Sequence, residues 1–119
     1  MPYDDNNIFA RILRGEIPND TVYEDDYVLA FRDINPQKPV HILVIPKGAY
    51  TDIGDFSVRA DSDEITAFWK ALAKIAKEEG LTDQGYRVIC NTGSNGGQEV
   101  PHFHAHILGG EHAGPMVSR

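Results

Sequence analysis

From Asp61 onward the apolar residues Ile65, Phe68, Trp69, Leu72, Ile75 and Ala76 recur every three or four positions, and no other long stretch of the chain keeps a helical period. Asp61 and Glu64 stand at capping-box spacing before this run and Gly80 closes it, which predicts one long helix. Its single buried stripe must pack on something flat. The flat partner is legible in shorter runs: Thr21 to Glu24 and Tyr27 to Arg32 flank the turn residues Asp25 and Asp26, and Val40 to Ile45 is continuously apolar between Asn35-Pro36 and Pro46. Tyr86 to Asn91 and His102 to Leu108 supply two further strands. A short first helix is expected where Asp4, Asp5, Asn6 and Asn7 offer capping side chains ahead of Ile8, Phe9, Ile12 and Leu13, with Gly15 as a left-handed stop. One long helix, one short helix and five strands predict an α+β layer pair with a largely antiparallel sheet.

At 119 residues, 41% hydrophobic and 24% charged, the chain has the material for one compact domain over 1–119 and too little for two. Eleven Lys and Arg against eighteen Asp and Glu leave a net charge of -7, which argues against nucleic acid or an anionic membrane as partner. A single cysteine, Cys90, excludes an internal disulfide and reads as a small buried hydrophobe. No apolar signal region follows Met1, so the expected location is cytoplasmic.

The chemistry points to His102-Phe103-His104-Ala105-His106-Ile107-Leu108, in which three of the five histidines alternate with apolar residues. A strand has a side-chain period of two, so the three imidazoles are expected on one face and Phe103, Ala105 and Ile107 on the other. Imidazole titrates near neutrality, and a row of them suits proton transfer, nucleophilic attack or metal binding. In a metal reading His102 and His104 chelate zinc, with His41 or Glu99 completing the set. In a phosphate reading the loop from Gly93 to Glu99 turns backbone N–H groups toward an anion while one histidine attacks phosphorus and another manages the leaving group's proton. Direct junction of the glycine loop to the histidine strand favours phosphate, since metal binding needs no backbone cradle. His112, past Gly109-Gly110, reads as a surface residue.

These residues resemble the histidine triad (HIT) superfamily, and within it the HINT-like purine nucleoside phosphoramidases. His102 to Leu108 fits the pattern of that branch at every position, and the likeness extends through Arg14-Gly15-Glu16-Ile17-Pro18, Asp33-Ile34, Pro36-Gln37, Val44-Ile45-Pro46-Lys47 and Asn91 to Gly110. The resemblance implies a five-stranded antiparallel sheet that pairs with a second copy into a continuous ten-stranded sheet, and hydrolysis of the P–N bond of purine nucleoside 5′-phosphoramidates. By position, His104 would be the nucleophile, His106 would contact the phosphate and assist the departing amine, and His102 with His41 would order the imidazoles. Asn91, Gly97, Gln98 and Glu99 would line the phosphate side. Asp33 would hold the ribose hydroxyls, and Phe9, Ile12, Ile17, Phe31 and Ile34 would wall in the purine. No cofactor is implied, and no metal: Asn7 and Ala10 occupy the positions where some members carry a zinc-binding Cys-x-x-Cys. Glu99 stands where many relatives have serine. The alternatives are a dinucleoside polyphosphate hydrolase of the same superfamily, and a nucleotide-binding regulatory module whose turnover is incidental.

Overall fold

The computed structural model describes residues 2–117. Helix α1 (Ile8–Leu13) is capped by Asn7, whose side chain accepts the Ala10 N–H at 2.9 Å, and Gly15 follows it with φ of +78°. Strands β1 (Thr21–Glu24), β2 (Val28–Arg32) and β3 (Val40–Pro46) come next, then helices α2 (Ile53–Arg59) and α3 (Ser62–Glu78). Strand β4 (Arg87–Ile89), the single turn α4 (Gly93–Gly96) and strand β5 (Ala105–Gly109) complete the order. The strands form one sheet, β1-β2-β3-β5-β4, and every neighbouring pair is antiparallel. Asp61 and Glu64 form the expected capping box on α3.

Both faces of β2 and β3 are covered, which is why their sequences read as unbroken apolar runs instead of alternating ones. Val28, Ala30, Ile42 and Val44 pack with Phe68, Leu72 and Ile75 of α3 on one side, and each such buried large side chain contributes roughly 1.5–3 kcal/mol. Leu29, Phe31, Leu43 and Ile45 pack with Phe9 and Ile12 of α1 on the other. On β5 the same alternation sends Ala105 and Ile107 to the α3 face and leaves His104 and His106 facing α1.

The structure differs from the sequence expectation in three places. The stretch between Gly48 and Asp61 folds into α2, capped by Asp52 and held by one buried residue, Phe56, whose ring stacks on Phe103 at 4.9 Å. With one anchor the segment has no apolar period to read. The glycine loop closes into the turn α4, ended by Gly97 at φ of +74°. Strand β5 starts at Ala105, not at His102: its last ladder pair with β3 is Val44 with Ala105, although β3 runs on to Pro46, because proline has no N–H to donate and its carbonyl takes the His102 ring instead of the facing strand. Beyond it the Phe103 N–H donates to the Tyr50 carbonyl at 2.7 Å, and the His102 ring binds the Pro46 carbonyl. Cys90 is half-buried against the core, where burial pushes its thiol pKa up, in line with a hydrophobic role.

Candidate active site

Backbone atoms set the proton on three of the four imidazoles, and the ring of His41 sets it on the fourth. The His102 ring is fully buried, with Nε2 2.9 Å from the Pro46 carbonyl and Nδ1 2.6 Å from the Tyr3 hydroxyl. A carbonyl only accepts, so the proton of neutral His102 lies on Nε2 and Nδ1 accepts from Tyr3. His104 Nδ1 stands 2.7 Å from the His102 carbonyl, which places its proton on Nδ1 and leaves Nε2 with a lone pair. At His41 the order is reversed: the Gln37 N–H donates to Nδ1 at 3.0 Å, so His41 carries its proton on Nε2. That proton points at His106 Nδ1, 2.9 Å away, so neutral His106 carries its own on Nε2. His104 and His106 thus present opposite Nε2 atoms, a lone pair on one and an N–H on the other.

Sheet register brings these rings together. Leu43 pairs with His106 and His41 with Leu108, so His41 and His106 are diagonal neighbours on one face. The His104 and His106 ring centroids are 5.1 Å apart, and the edge of Phe9 meets His104 at 5.0 Å. Asp33 follows β2, anchors its Oδ1 on the Asn35 N–H at 2.8 Å and brings Oδ2 to 3.4 Å from His41 Nε2. Burial is the leading cause at all four rings. It pushes His102 and His106 down to about 4, helped at His106 by His104 and His41; it lowers His41 against the pull of Asp33, and His104 against the His102 carbonyl first and then Asp33 and Glu99. Burial thus favours the neutral form of all four imidazoles.

A cavity of about 550 Å³ opens over this row. Phe9, Ile12, Ile17, Phe31 and Ile34 line its apolar part, and Asp33, His41, His104, His106, Asn91, Gly97 and Glu99 its polar part. Two residues singled out in the sequence lie elsewhere. His102 sits behind the cavity wall. Gln98 turns its amide to the scaffold: Nε2 donates to the Thr51 and Val100 carbonyls at 2.7 and 3.0 Å, and Oε1 accepts the Gly93 N–H. It therefore braces the glycine turn. His41 bonds the ring of His106, while the His102 carbonyl holds His104. Ile8, Arg32, Gln37, Leu43 and Val100 also line the cavity. Of these, only Gln37 has a legible signal, its place beside Pro36 between two strands.

The zinc pair considered from sequence, His102 with His104, is not available to a metal, since both His102 nitrogens are engaged and the ring is buried. The donors that do converge are Asp33, His41 and His106, each offering a ligand atom within 4.8 Å of the others. Among the described residues no helix is long and apolar enough to cross a membrane. His112 is exposed, as expected.

Fold and site together place this chain in the HIT domain family, whose profile matches residues 14–113. Over 114 residues it is 47% identical to the purine nucleoside phosphoramidase of Escherichia coli K12, covering 96% of this chain and 95% of that protein. It is 50% identical over 108 residues to a 14 kDa zinc-binding protein of Zea mays, covering 90% and 84% of the two chains. The crystal structure of a HIT family hydrolase from Legionella pneumophila superposes with a TM-score of 0.84 at 46% identity, over 90% of this chain and 95% of that one.

Proposed function

We propose that this chain is a hydrolase of purine nucleoside 5′-phosphoramidates that cleaves the P–N bond and releases a nucleoside monophosphate. The observation that carries the reading is the pair of opposed tautomers, a lone pair at His104 Nε2 beside an N–H at His106 Nε2, in the lining of a mostly apolar cavity. Kinship with the Escherichia coli phosphoramidase supports the substrate class.

His104 Nε2 attacks the α-phosphorus while its Nδ1–H stays on the His102 carbonyl, which stabilises the positive charge that forms on the ring. His106 Nε2–H donates to a phosphoryl oxygen, where negative charge builds. The P–N bond breaks with its electron pair on nitrogen, which takes one proton from solvent and leaves as the amine. Water then attacks the nucleotidyl-histidine, restores His104 and returns that proton. Asp33 accepts hydrogen bonds from the ribose hydroxyls, and the base lies between Phe9, Ile12, Phe31 and Ile34, where Ile34, 97% exposed in the free chain, gains cover.

We place the working unit in a homodimer joined through β4, an edge strand whose Val88 is exposed together with the preceding Tyr86. Edge-to-edge pairing there would make the continuous ten-stranded sheet. The single domain 1–119 and a cytoplasmic location complete this reading.

The test is AMP release from an adenosine 5′-phosphoramidate, with diadenosine polyphosphate measured alongside. His104→Ala is expected to lower kcat by a factor of about 10³ or more, as loss of a nucleophile does. Equal rates for wild type and variant would end the proposal, and faster turnover of the polyphosphate would move it to the sibling activity.

A further inference from the structure

The geometry points to Tyr3 as a positioning residue for His104: its phenol O–H locks the ring of His102, whose main-chain carbonyl in turn holds the nucleophile's Nδ1–H. The inference rests on the reading of His104 as nucleophile. Tyr3 touches neither the cavity nor His104, and 99 residues of sequence separate it from the ring it binds.

The hydroxyl lies 2.6 Å from His102 Nδ1, and the two rings meet edge to face with centroids 5.6 Å apart. The segment that delivers Tyr3 is ordered by its own hydrogen bonds. Asp4 accepts the Asn6 N–H on its carboxylate, and its carbonyl accepts both the main-chain and side-chain N–H of Asn7 at 3.1 and 2.7 Å. Asn7 then caps α1, which carries Phe9 against His102 and His104. One short stretch thus seats a purine-wall residue and clamps the buried histidine.

His102 has one ring proton and a fully buried ring. With that proton on the Pro46 carbonyl, the Nδ1 lone pair needs a donor, and Tyr3 is its partner among the described residues. Burial raises the Tyr3 pKa, so the phenol keeps its proton across the neutral range. Without that O–H, His102 has two ways to satisfy Nδ1. It can bind a second proton beside His104, or it can turn its ring. Either response disturbs residue 102, and the carbonyl of residue 102 is what fixes the His104 tautomer.

Tyr3→Phe keeps the ring and removes only the hydroxyl. In the full-length protein we expect kcat for an adenosine phosphoramidate to fall about tenfold with KM little changed, as small misplacements of a reacting group do. The acid limb of the kcat profile should move to higher pH. In ¹⁵N-histidine spectra the His102 Nδ1 resonance should shift toward that of an unbonded lone pair. In a His102→Gln background the same substitution should have no further effect on kcat. The inference is overturned if the His102 Nδ1 signal of Tyr3→Phe matches wild type, or if the loss of kcat is the same size with His102 and with Gln at that position. The spectra need no substrate and no second variant, so an inactive wild type would defeat the phosphoramidase reading while the clamp on His102 is still decided by resonance.

Discussion

At His106 a neighbour's proton decides the side chain's use. The Gln37 N–H fills His41 Nδ1, His41 therefore offers Nε2–H, and His106 is left with its proton facing the cavity. Because burial lowers His104, protonation would silence the proposed nucleophile only below the usual histidine range. The acid limb of kcat/KM is thus expected below the ordinary value of about 6.5, with a flat profile from there to pH 8. A limb at or above the ordinary value would contradict the burial argument. Asp33 belongs to the same scale. Asp33→Asn loses a charged acceptor, and a hydrogen bond to a charged group contributes about 1.5–3 kcal/mol. KM for the nucleotide should rise about tenfold or more, with a smaller change in kcat, readable by steady-state kinetics on the phosphoramidate. The histidines are legible because imidazole seldom alternates with apolar residues along a strand that has no chemistry to perform. Gln98 is not legible, since a polar side chain in a glycine loop has the same letter whether it faces phosphate or, as here, the Thr51 and Val100 carbonyls. The Tyr3 contact is equally hidden, because nothing local announces a partner 99 residues away.

Elements announce themselves in proportion to their buried face. Helix α3 has five buried residues at helical spacing and a capping box, and its position follows from sequence alone. Helix α2 has one, Phe56, and is illegible for that reason. That residue carries the element: its ring packs on Tyr50, Phe68 and Phe103, and it is 1% exposed. Phe56→Ala should cost about 3–5 kcal/mol and lower Tm by many degrees in a thermal melt, as deletion of a buried ring does. A loss under about 1 kcal/mol, the scale of an ordinary surface substitution, would mean that α2 is held by its polar contacts, among them Arg59 with Asp55 and with the Ala49 carbonyl. Strand β5 shows the other limit of sequence reading. The period-two pattern reaches back to His102, while the ladder stops at Ala105 because the Phe103 N–H goes to the Tyr50 carbonyl and the Pro46 carbonyl to the His102 ring. Side-chain direction survives past the end of a ladder, so the pattern finds the face correctly and the strand boundary wrongly.

Over the whole molecule, neutral buried histidine links folding to pH. His102 falls to about 4 in the folded chain against 6.5 for the ordinary residue. Between those values the unfolded chain binds more protons, so stability is full above about 6.5, declines as pH drops and levels off below about 4. For His102 alone the loss is on the order of 3 kcal/mol, and it should appear as a falling urea midpoint between about pH 7 and pH 4. A midpoint constant over that interval would show that His102 is protonated in the native state. The architecture as a whole is legible because the central strands β2 and β3 are covered on both sides and the chain writes that cover as apolar runs. The pairing of copies proposed along β4 is not legible from periodicity. Three of the imidazole settings are made by main-chain atoms, the Gln37 amide and the Pro46 and His102 carbonyls. Peptide groups are common to every amino acid, so the proton pattern tolerates drift in the side chain at position 37. Proline there would abolish it, because an imino acid has no amide hydrogen to give. The protonation pattern of these rings is thereby inherited with the path of the backbone.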